Sequence, residues 1–373
     1  MLRGISLSIM MGIAIPSPIA AELADAILSV QVTQATEQRS GFSISFALGK
    51  NSLVQEKFRQ GFFDPPQRVV LSAFINGSQT VLMDGVITRH EVIAANDPGG
   101  SRLQLTGEDL SRMLDLVDLS WVMKYPAMPA EARVALILAK YLPLGMIPMV
   151  IPSVNIDVPL PTEYIPSHIG TDLQYVTYLA KSVGYVFYVD PGPLAGQSIA
   201  YWGPEVKVGP SQTTLFVNSD ATSNVDNLTF SFDGFAKTVF MFLLHDERLP
   251  VNIPIPIPVP DVNPLSPPLG PVSPVPLRAE PLTGMAKYSL PQALMVGLSK
   301  AARAAEVITG SGSLDVMRLG QILHARQLVT IAGAGLRHDG LHYVRSVTHE
   351  LKPGEYKQRF TLSRNAFGPW TGG

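Results

Sequence analysis

The sequence predicts an α+β, mainly β protein in which two barrel-like β domains, related by pseudo-duplication, flank a small inserted α/β domain. A Pro-rich strap crosses the second barrel. Three observations lead there. Apolar residues alternate with small polar ones through residues 28–106, and the same period-two pattern returns at 213–244 and 327–363. Between these stretches, residues 107–206 change to helical spacing with caps and proline stops. From 250 to 281 a proline recurs every two or three residues. The predicted division is therefore 1–106, 107–206 and 207–373, and 373 residues suffice for two or three compact units.

At the N-terminus, Ile5, Leu7 and Ile9 alternate with Ser6 and Ser8, a strand that Pro16 and Pro18 end. Arg3 ahead of this stretch and Ala20-Ala21 behind it imitate a secretion signal. The alternation breaks the continuous apolar core such a signal needs, so the segment is expected to be retained. Phe42, Ile44, Phe46 and Leu48 share one sheet face. Strands at 68–75, 81–92 and 102–106 follow, separated by the turn signals Asn76-Gly77 and Asn96-Asp97-Pro98-Gly99-Gly100.

At Thr106 the period changes. Thr106 and Asp109 have capping-box spacing ahead of Leu110, Met113 and Leu114, predicting a short helix. Pro129 suits the first position of a second helix, which runs through Leu138 and stops by Pro143. A third helix, about 171–183, sets Leu173, Val176, Leu179, Ala180 and Val183 on one side, with Gly184 as its stop. Residues 185–190 and 198–202 read as a hairpin around Asp190-Pro191-Gly192.

Strands resume at 213–217, 227–232 and 237–244. The proline density of 250–281 predicts an extended strap excluded from helix and from ladder pairing. Its intervening Ile, Val and Leu residues favour docking on folded surface over a mobile linker. A helix at 291–305 and strands at 327–332, 341–351 and 356–363 complete the chain. The echo between Ile87-Thr88-Arg89-His90-Glu91-Val92 and Val347-Thr348-His349-Glu350-Leu351 suggests that the two barrels are copies, with His90 and His349 equivalent.

Composition narrows the function. The chain has 28 basic and 30 acidic residues, a net charge of −2, which argues against a nucleic-acid or acidic-membrane partner. Charged residues make up 16% against about a quarter in typical soluble domains, while hydrophobic residues make up 46%. Such a surface suits permanent subunit contacts. With no cysteine there is no disulfide, thiolate nucleophile or sulfur-bound metal. The longest apolar candidate, 141–151, is broken by Pro143, Gly145 and Pro148, so membrane insertion is not expected.

Candidate chemistry is sparse. His338 and His342 have metal-ligand spacing, but Asp339-Gly340 between them reads as a turn and no third ligand is in view. His90-Glu91 lacks the second histidine of a zincin, and Glu108-Asp109 reads as a helix start. Tyr185, Phe187, Tyr188, Tyr201 and Trp202 read as cross-strand core pairs, and Lys357 and Arg359 as a solvated or intersubunit face. No catalytic, cofactor-binding or metal residue is assigned, and no cofactor is expected.

Several stretches resemble the phage late control protein D family, the tail hub proteins that also form the N-terminal portion of VgrG spikes. They are Leu28-Ser-Val-Gln-Val-Thr33 with Arg39-Ser-Gly-Phe42, Asp84-Gly-Val-Ile-Thr88, and Gly170-Thr-Asp-Leu-Gln174 leading into Leu179-Ala180 and Gly184-Tyr185. Asn263-Pro264 with Pro267-Pro-Leu-Gly270, Tyr343-Val-Arg-Ser-Val-Thr-His349 and Gly354-Glu-Tyr-Lys-Gln-Arg-Phe360 extend the likeness over nearly the whole chain. The resemblance implies a non-enzymatic baseplate hub of a contractile injection particle, assembled in the cytoplasm. It implies a homotrimer acting as symmetry adaptor between a sixfold inner tube and a trimeric spike, in contact with other baseplate subunits. Because the sequence stops at Gly373, just past the last hub strand, a separate spike protein is expected. Two other readings stay open. A tail-associated cell-wall hydrolase needs an acid/base pair that the motifs do not supply, and a secreted binding protein needs the N-terminal segment cleaved.

Overall fold

The computed structural model describes residues 5–370 except 14, 97–99, 121, 154–160, 163–164, 220–221, 246–251, 258–263 and 285–289. Arg3, the Asp97-Pro98-Gly99 part of the expected turn, Pro250 and residues 258–263 of the strap thus lie outside the described residues.

The N-terminal half contains β1 (Ser6–Gly12), β2 (Ser17–Pro18), α1 (Ala21–Asp25), β3 (Ile27–Ala35), β4 (Gly41–Ala47), α2 (Leu53–Arg59), β5 (Arg68–Ile75), β6 (Ser78–Ile93) and β7 (Arg102–Asp109). As the alternation requires, Phe42, Ile44 and Phe46 of β4 are buried. The sequence pattern missed α2, a seven-residue helix whose start is fixed by Ser52, which accepts a hydrogen bond from Gln55 N at 3.2 Å. β7 runs through Thr106 to Asp109, and Asp109 rather than Thr106 caps the short 3₁₀ turn Leu110–Asp115.

The middle unit holds α3 (Ala130–Ala139), β8 (Met146–Val150), α4 (Asp172–Ser182), β9 (Val186–Pro191) and β10 (Ser198–Gly203). Pro129 is the cap of α3, one residue ahead of its expected place. Thr171 and Gln174 form a reciprocal capping box at the start of α4, and Gly184 at φ +74° ends it in the left-handed region. β10 pairs antiparallel with β9 and parallel with β8, giving the order β8-β10-β9. α3 and α4 pack on this sheet through a core of its own that includes Val134, Leu138, Val176 and Trp202.

The C-terminal half contains β11 (Ser211–Phe216), β12 (Asn227–Phe232), β13 (Thr238–His245), β14 (Asn252–Pro256), β15 (Arg278–Pro281), α5 (Leu290–Ala304), β16 (Ile308–Asp315), α6 (Val316–Leu319), β17 (Leu328–Ala332), β18 (Gly340–Lys352) and β19 (Glu355–Arg364). β16 escaped the sequence reading because Gly310 and Gly312 interrupt its alternation. A Cβ on Gly312 would lie 2.5 Å from the Asn227 carbonyl oxygen and 2.7 Å from the Phe360 ring, so only glycine admits the neighbouring strands.

The expected exclusion of the strap from ladder pairing is corrected: β14 pairs antiparallel and β15 parallel with β13. Because a strand presents alternate N–H groups to one side, Pro254 and Pro256 turn their ring nitrogens away. The backbone N–H groups of Ile253, Ile255 and Ile257 are left to face β13, and Ile257 N donates to Phe240 O at 2.8 Å.

Both halves share one 13-stranded sheet, ordered β12-β16-β19-β18-β3-β4-β7-β6-β5-β1-β2, with β17 on β18 and β11 on β17. No pairing among the described strands closes either half, so the expected barrels are open halves of a single sheet. One core, from Ile9 and Val32 to Val347 and Leu362, runs under both.

The strand order in the N-terminal half reads β1-β5-β6-β7-β4-β3, and in the C-terminal half β11-β17-β18-β19-β16-β12. The connectivity is the same except that β1 runs antiparallel to β5 and β11 parallel to β17. Each half has a register shift at the same place, between Ile87 and Arg89 in β6 and between Val344 and Ser346 in β18. Ile87 N donates to Gln67 O at 2.8 Å and Val344 N to Gln327 O at 2.9 Å. This register sets His90 opposite Leu105 and Val347 opposite Phe360. His90 therefore corresponds to Val347 rather than to His349, as the echo in sequence had suggested.

Candidate assembly interface

The residues weighed for chemistry fall into separate places. His338 stacks on Phe230 with ring centroids 4.6 Å apart and planes at 7°. His342 is fully buried with its ring centroid 5.4 Å from that of Phe230, its Nδ1 3.1 Å from Gly340 O. Burial, reinforced by the Arg364 charge, pushes its pKa down to about 3. His90 is half-exposed at the far end of β6, 3.1 Å from the Asp64 carboxylate and edge-on to Phe58. Among the described residues no three His, Asp or Glu side chains converge as a metal site would require.

Asp109 is buried and accepts from Ser40 N and Ser111 N, each at 2.9 Å, while burial pushes its pKa up to about 6. Glu108 is surface-exposed and paired with Arg39 at 2.9 Å. Tyr188 and Tyr201 stack across β9 and β10 with centroids 4.9 Å apart, and Tyr185 meets buried Trp202 edge-on. Arg359 pairs with Glu350 at 3.2 Å and Lys357 with Glu355 at 2.6 Å on the outer face of β19.

Two polar joints missed by sequence reasoning lock the units together, and a third braces the C-terminal half at its junction with the middle unit. Buried Arg68 and Asp84 form a bidentate pair, with Nε to Oδ1 2.8 Å and Nη2 to Oδ2 2.6 Å. Gly196 O and Ser198 Oγ of the middle unit complete it, each at 3.0 Å. Arg326 donates to Asp190 of the middle unit at 2.6 Å and to Ala35 O of the N-terminal half at 2.5 Å, with its guanidinium 4.1 Å above the Tyr188 ring. Buried Lys207 pairs with Glu306 and, at 3.5 Å, with Glu205. An arginine opening an otherwise apolar strand, as Arg68 does, is the only trace of these joints in the sequence.

The strap is fastened in the same way. Asn365 accepts from Leu269 N at 2.8 Å and donates to Pro267 O at 3.1 Å, and Arg364 Nη2 donates to Leu269 O at 2.9 Å.

What the surface leaves open are strand edges and apolar stripes. Among the described strands β8 pairs with β10 alone, and its Ile147 and Met149 are exposed. Among the described strands β12 pairs with β16 alone, and Phe232 on it is exposed; so are Val92 and Ile93 at the end of β6. Val272, Val275 and Leu277 of the strap are exposed, as is Trp370. The outer face of the long sheet is instead lined with hydroxyls. Thr33 and Thr348 lie 3.1 Å apart, and Ser346 and Thr361 2.6 Å apart. No described helix is long and apolar enough to cross a membrane.

No protein-family model matches the chain, and no curated protein matches its sequence. Solved structures do match. The chain superposes on a tail protein from Neisseria meningitidis MC58 with TM-score 0.61 at 14% identity, covering 97% of each chain. The 43 kDa tail protein of prophage MuSo2 from Shewanella oneidensis gives TM-score 0.64 at 12% identity, covering 98% of this chain and 100% of that one. A chain of the Francisella PdpA-VgrG complex gives 0.60 at 8% identity, covering 100% of this chain and 60% of that one. At these identities the likeness concerns the fold, and it extends over nearly the whole of this chain. The chain shares the fold of these tail-protein and VgrG-complex chains.

Proposed function

We propose that this protein is a structural hub subunit of a phage-tail-like contractile injection particle, a homotrimer that adapts a sixfold inner tube to a trimeric spike. The observation that carries the reading is the repeated strand order of the two halves. If they are duplicated copies of one unit, three chains present six similar surfaces to a sixfold ring while keeping a threefold seat for the spike. The tail-protein and VgrG-complex folds support this role, as do the low charge and the exposed apolar edges. The division into residues 1–106, 107–206 and 207–373 fits it with the middle unit as a side attachment, and the docked strap as a brace on the C-terminal half. The subunit acts without catalysis, cofactor, metal or nucleic-acid contact, and assembles in the cytoplasm before joining tube and baseplate partners.

Light scattering of the purified protein tests the reading. A mass three times that of the chain, or self-association at micromolar concentration, is expected. A stable soluble monomer would overturn it.

A further inference from the structure

At one corner of the C-terminal half, a single guanidinium holds three segments of chain by their carbonyl oxygens. Arg364, 1% exposed at the end of β19, donates to Leu269 O of the strap at 2.9 Å and to Gly368 O of the C-terminal tail. It also donates to Asp339 O at 2.9 Å and His338 O at 3.3 Å, both in the turn at 333–339. The three segments hold one another as well. Phe367 and Val272 exchange backbone bonds at 2.8 and 3.2 Å, Gly368 N donates to Arg337 O at 3.1 Å, and Trp370 Nε1 donates to Pro268 O at 3.3 Å. A Cβ on Gly270 would lie 2.8 Å from Arg364 Nη2, so the strap rests against the guanidinium itself.

His338 and His342 sit beside this guanidinium. Gly340 O can only accept, so the His342 Nδ1 that lies 3.1 Å from it carries the proton and Nε2 the lone pair. His342 Nε2, His338 Nδ1 and Arg364 Nε are buried with no hydrogen-bond partner among the described residues. A proton added to His342 would place a charge and an N–H in the interior with nothing to accept it. The charged groups that bear on the two rings are Arg364 of β19 and Arg337 and Asp339 of the turn. Strap residues 264–277, strand β12 and tail residues 365–370 contain no charged side chain. The Asp339 carboxylate is already engaged, accepting from Ala334 N at 2.8 Å.

We infer that this corner is an acid-released clamp: at neutral pH Arg364 holds strap, turn and tail, and protonation of His338 and His342 opens all three together while the rest of the chain stays folded. The inference does not rest on the hub reading. In the closed corner burial, and then the neighbouring arginine charges, depress both histidine pKa values, that of His342 to about 3. Opened to water, each returns to about 6.5. Protons therefore bind the open form in preference, and the clamp loosens as pH falls below about 6.5. Opening uncovers Leu269 and Phe367, 5% and 8% exposed in the closed corner, and so presents an apolar surface in acid alone.

The other buried histidines are placed differently. His168 Nε2 lies 3.5 Å from the Asp172 carboxylate, which can balance an added charge. His349 lies on β18 between Val347 and Leu351 of the shared core, so hydrating it means unfolding the sheet. Only at the Arg364 corner do buried, neutral histidines meet an unbalanced cation under segments that hydrogen bonds alone hold down.

The absence of cysteine allows a direct test on the full chain. Ala366 in the tail and Ala73 in β5 are both 0% exposed, so Ala366→Cys reports opening of the corner and Ala73→Cys, in a separate variant, reports opening of the core. Each thiol is labelled with dithiodipyridine between pH 7 and 4, and its rate is divided by that of the urea-unfolded variant at the same pH. Below about pH 6 the relative rate at 366 should rise roughly tenfold per pH unit for each proton taken up on opening, while that at 73 stays low. With His338→Phe, which keeps a ring on Phe230, and His342→Gln, which keeps a donor for Gly340 O, the rate at 366 should no longer depend on pH. His338→Phe alone should remove one proton of the dependence, and decides the matter if the double variant does not fold. Constant protection at 366 down to pH 4 would overturn the inference. So would a parallel rise at 366 and 73, which means global unfolding, or a pH dependence that survives replacement of the histidines.

Discussion

Arg68 and Asp84 are both almost fully buried, and each satisfies the other while Gly196 and Ser198 fill the remaining positions. Removing one partner strands a charge in the interior, which costs about 3–5 kcal/mol, more than the net worth of the pair itself. Arg68→Ala is accordingly expected to lose roughly that amount in chemical denaturation, and to free the middle unit from the N-terminal half. Buried neutral histidines set the response to acid. His349, bonded to Tyr356 at 2.8 Å, has its pKa pushed down to about 3 by burial and by His324, matching the value for His342. Between about pH 3 and 6.5 the unfolded chain binds protons that the folded one refuses. Stability is therefore full above that window and falls as pH drops through it, by up to about 1.4 kcal/mol per pH unit for each histidine. Asp109 acts in the opposite sense between about pH 4 and 6, because its raised pKa makes the folded state the one that holds the proton. Two histidines outweigh one aspartate. Denaturation midpoints should fall below pH 6, and His349→Leu should reduce the slope by about one proton.

The elements whose pattern is complete within one segment were legible. α4 announced itself by its capping residues, its apolar stripe and its terminal glycine, all local properties of the chain. β4, β18 and β19 were legible by alternation. β14 and β16 were not, because prolines and glycines there answer to the neighbouring strand. In β14 the prolines sit where no ladder bond is required, and in β16 the glycines clear space for the Phe230 and Phe360 rings. Asn365 is one of several fasteners of the strap, and its loss would leave Leu269 N and Pro267 O without these bonds at about 1–3 kcal/mol. Asn365→Ala should therefore raise the rate of tryptic cleavage at Arg278 by roughly tenfold, the factor that about 1.4 kcal/mol supplies. An unchanged rate would mean that β15 and the Arg364 bond hold the segment without Asn365.

Across the whole molecule the two halves share one sheet and one core, so neither should fold in isolation. A fragment ending at residue 109 would expose Val30 and Val32 along β3, the side chains that β18 covers. Circular dichroism and denaturation of that fragment should show no cooperative transition, whereas a cooperative one would mean that the first half is an independent barrel. The sequence by itself determined the strand-rich class, the inserted helices, the resemblance to tail hub proteins and the hint of duplication. These rest on period, caps and turn residues, whose causes lie within a few residues along the chain. Only the tertiary structure decided that the barrels are open halves of one sheet, that His90 answers to Val347, and that buried ion pairs rivet the three units. Those facts depend on which strands meet across more than two hundred residues, and hydrophobic alternation is the same whichever partner a strand finds.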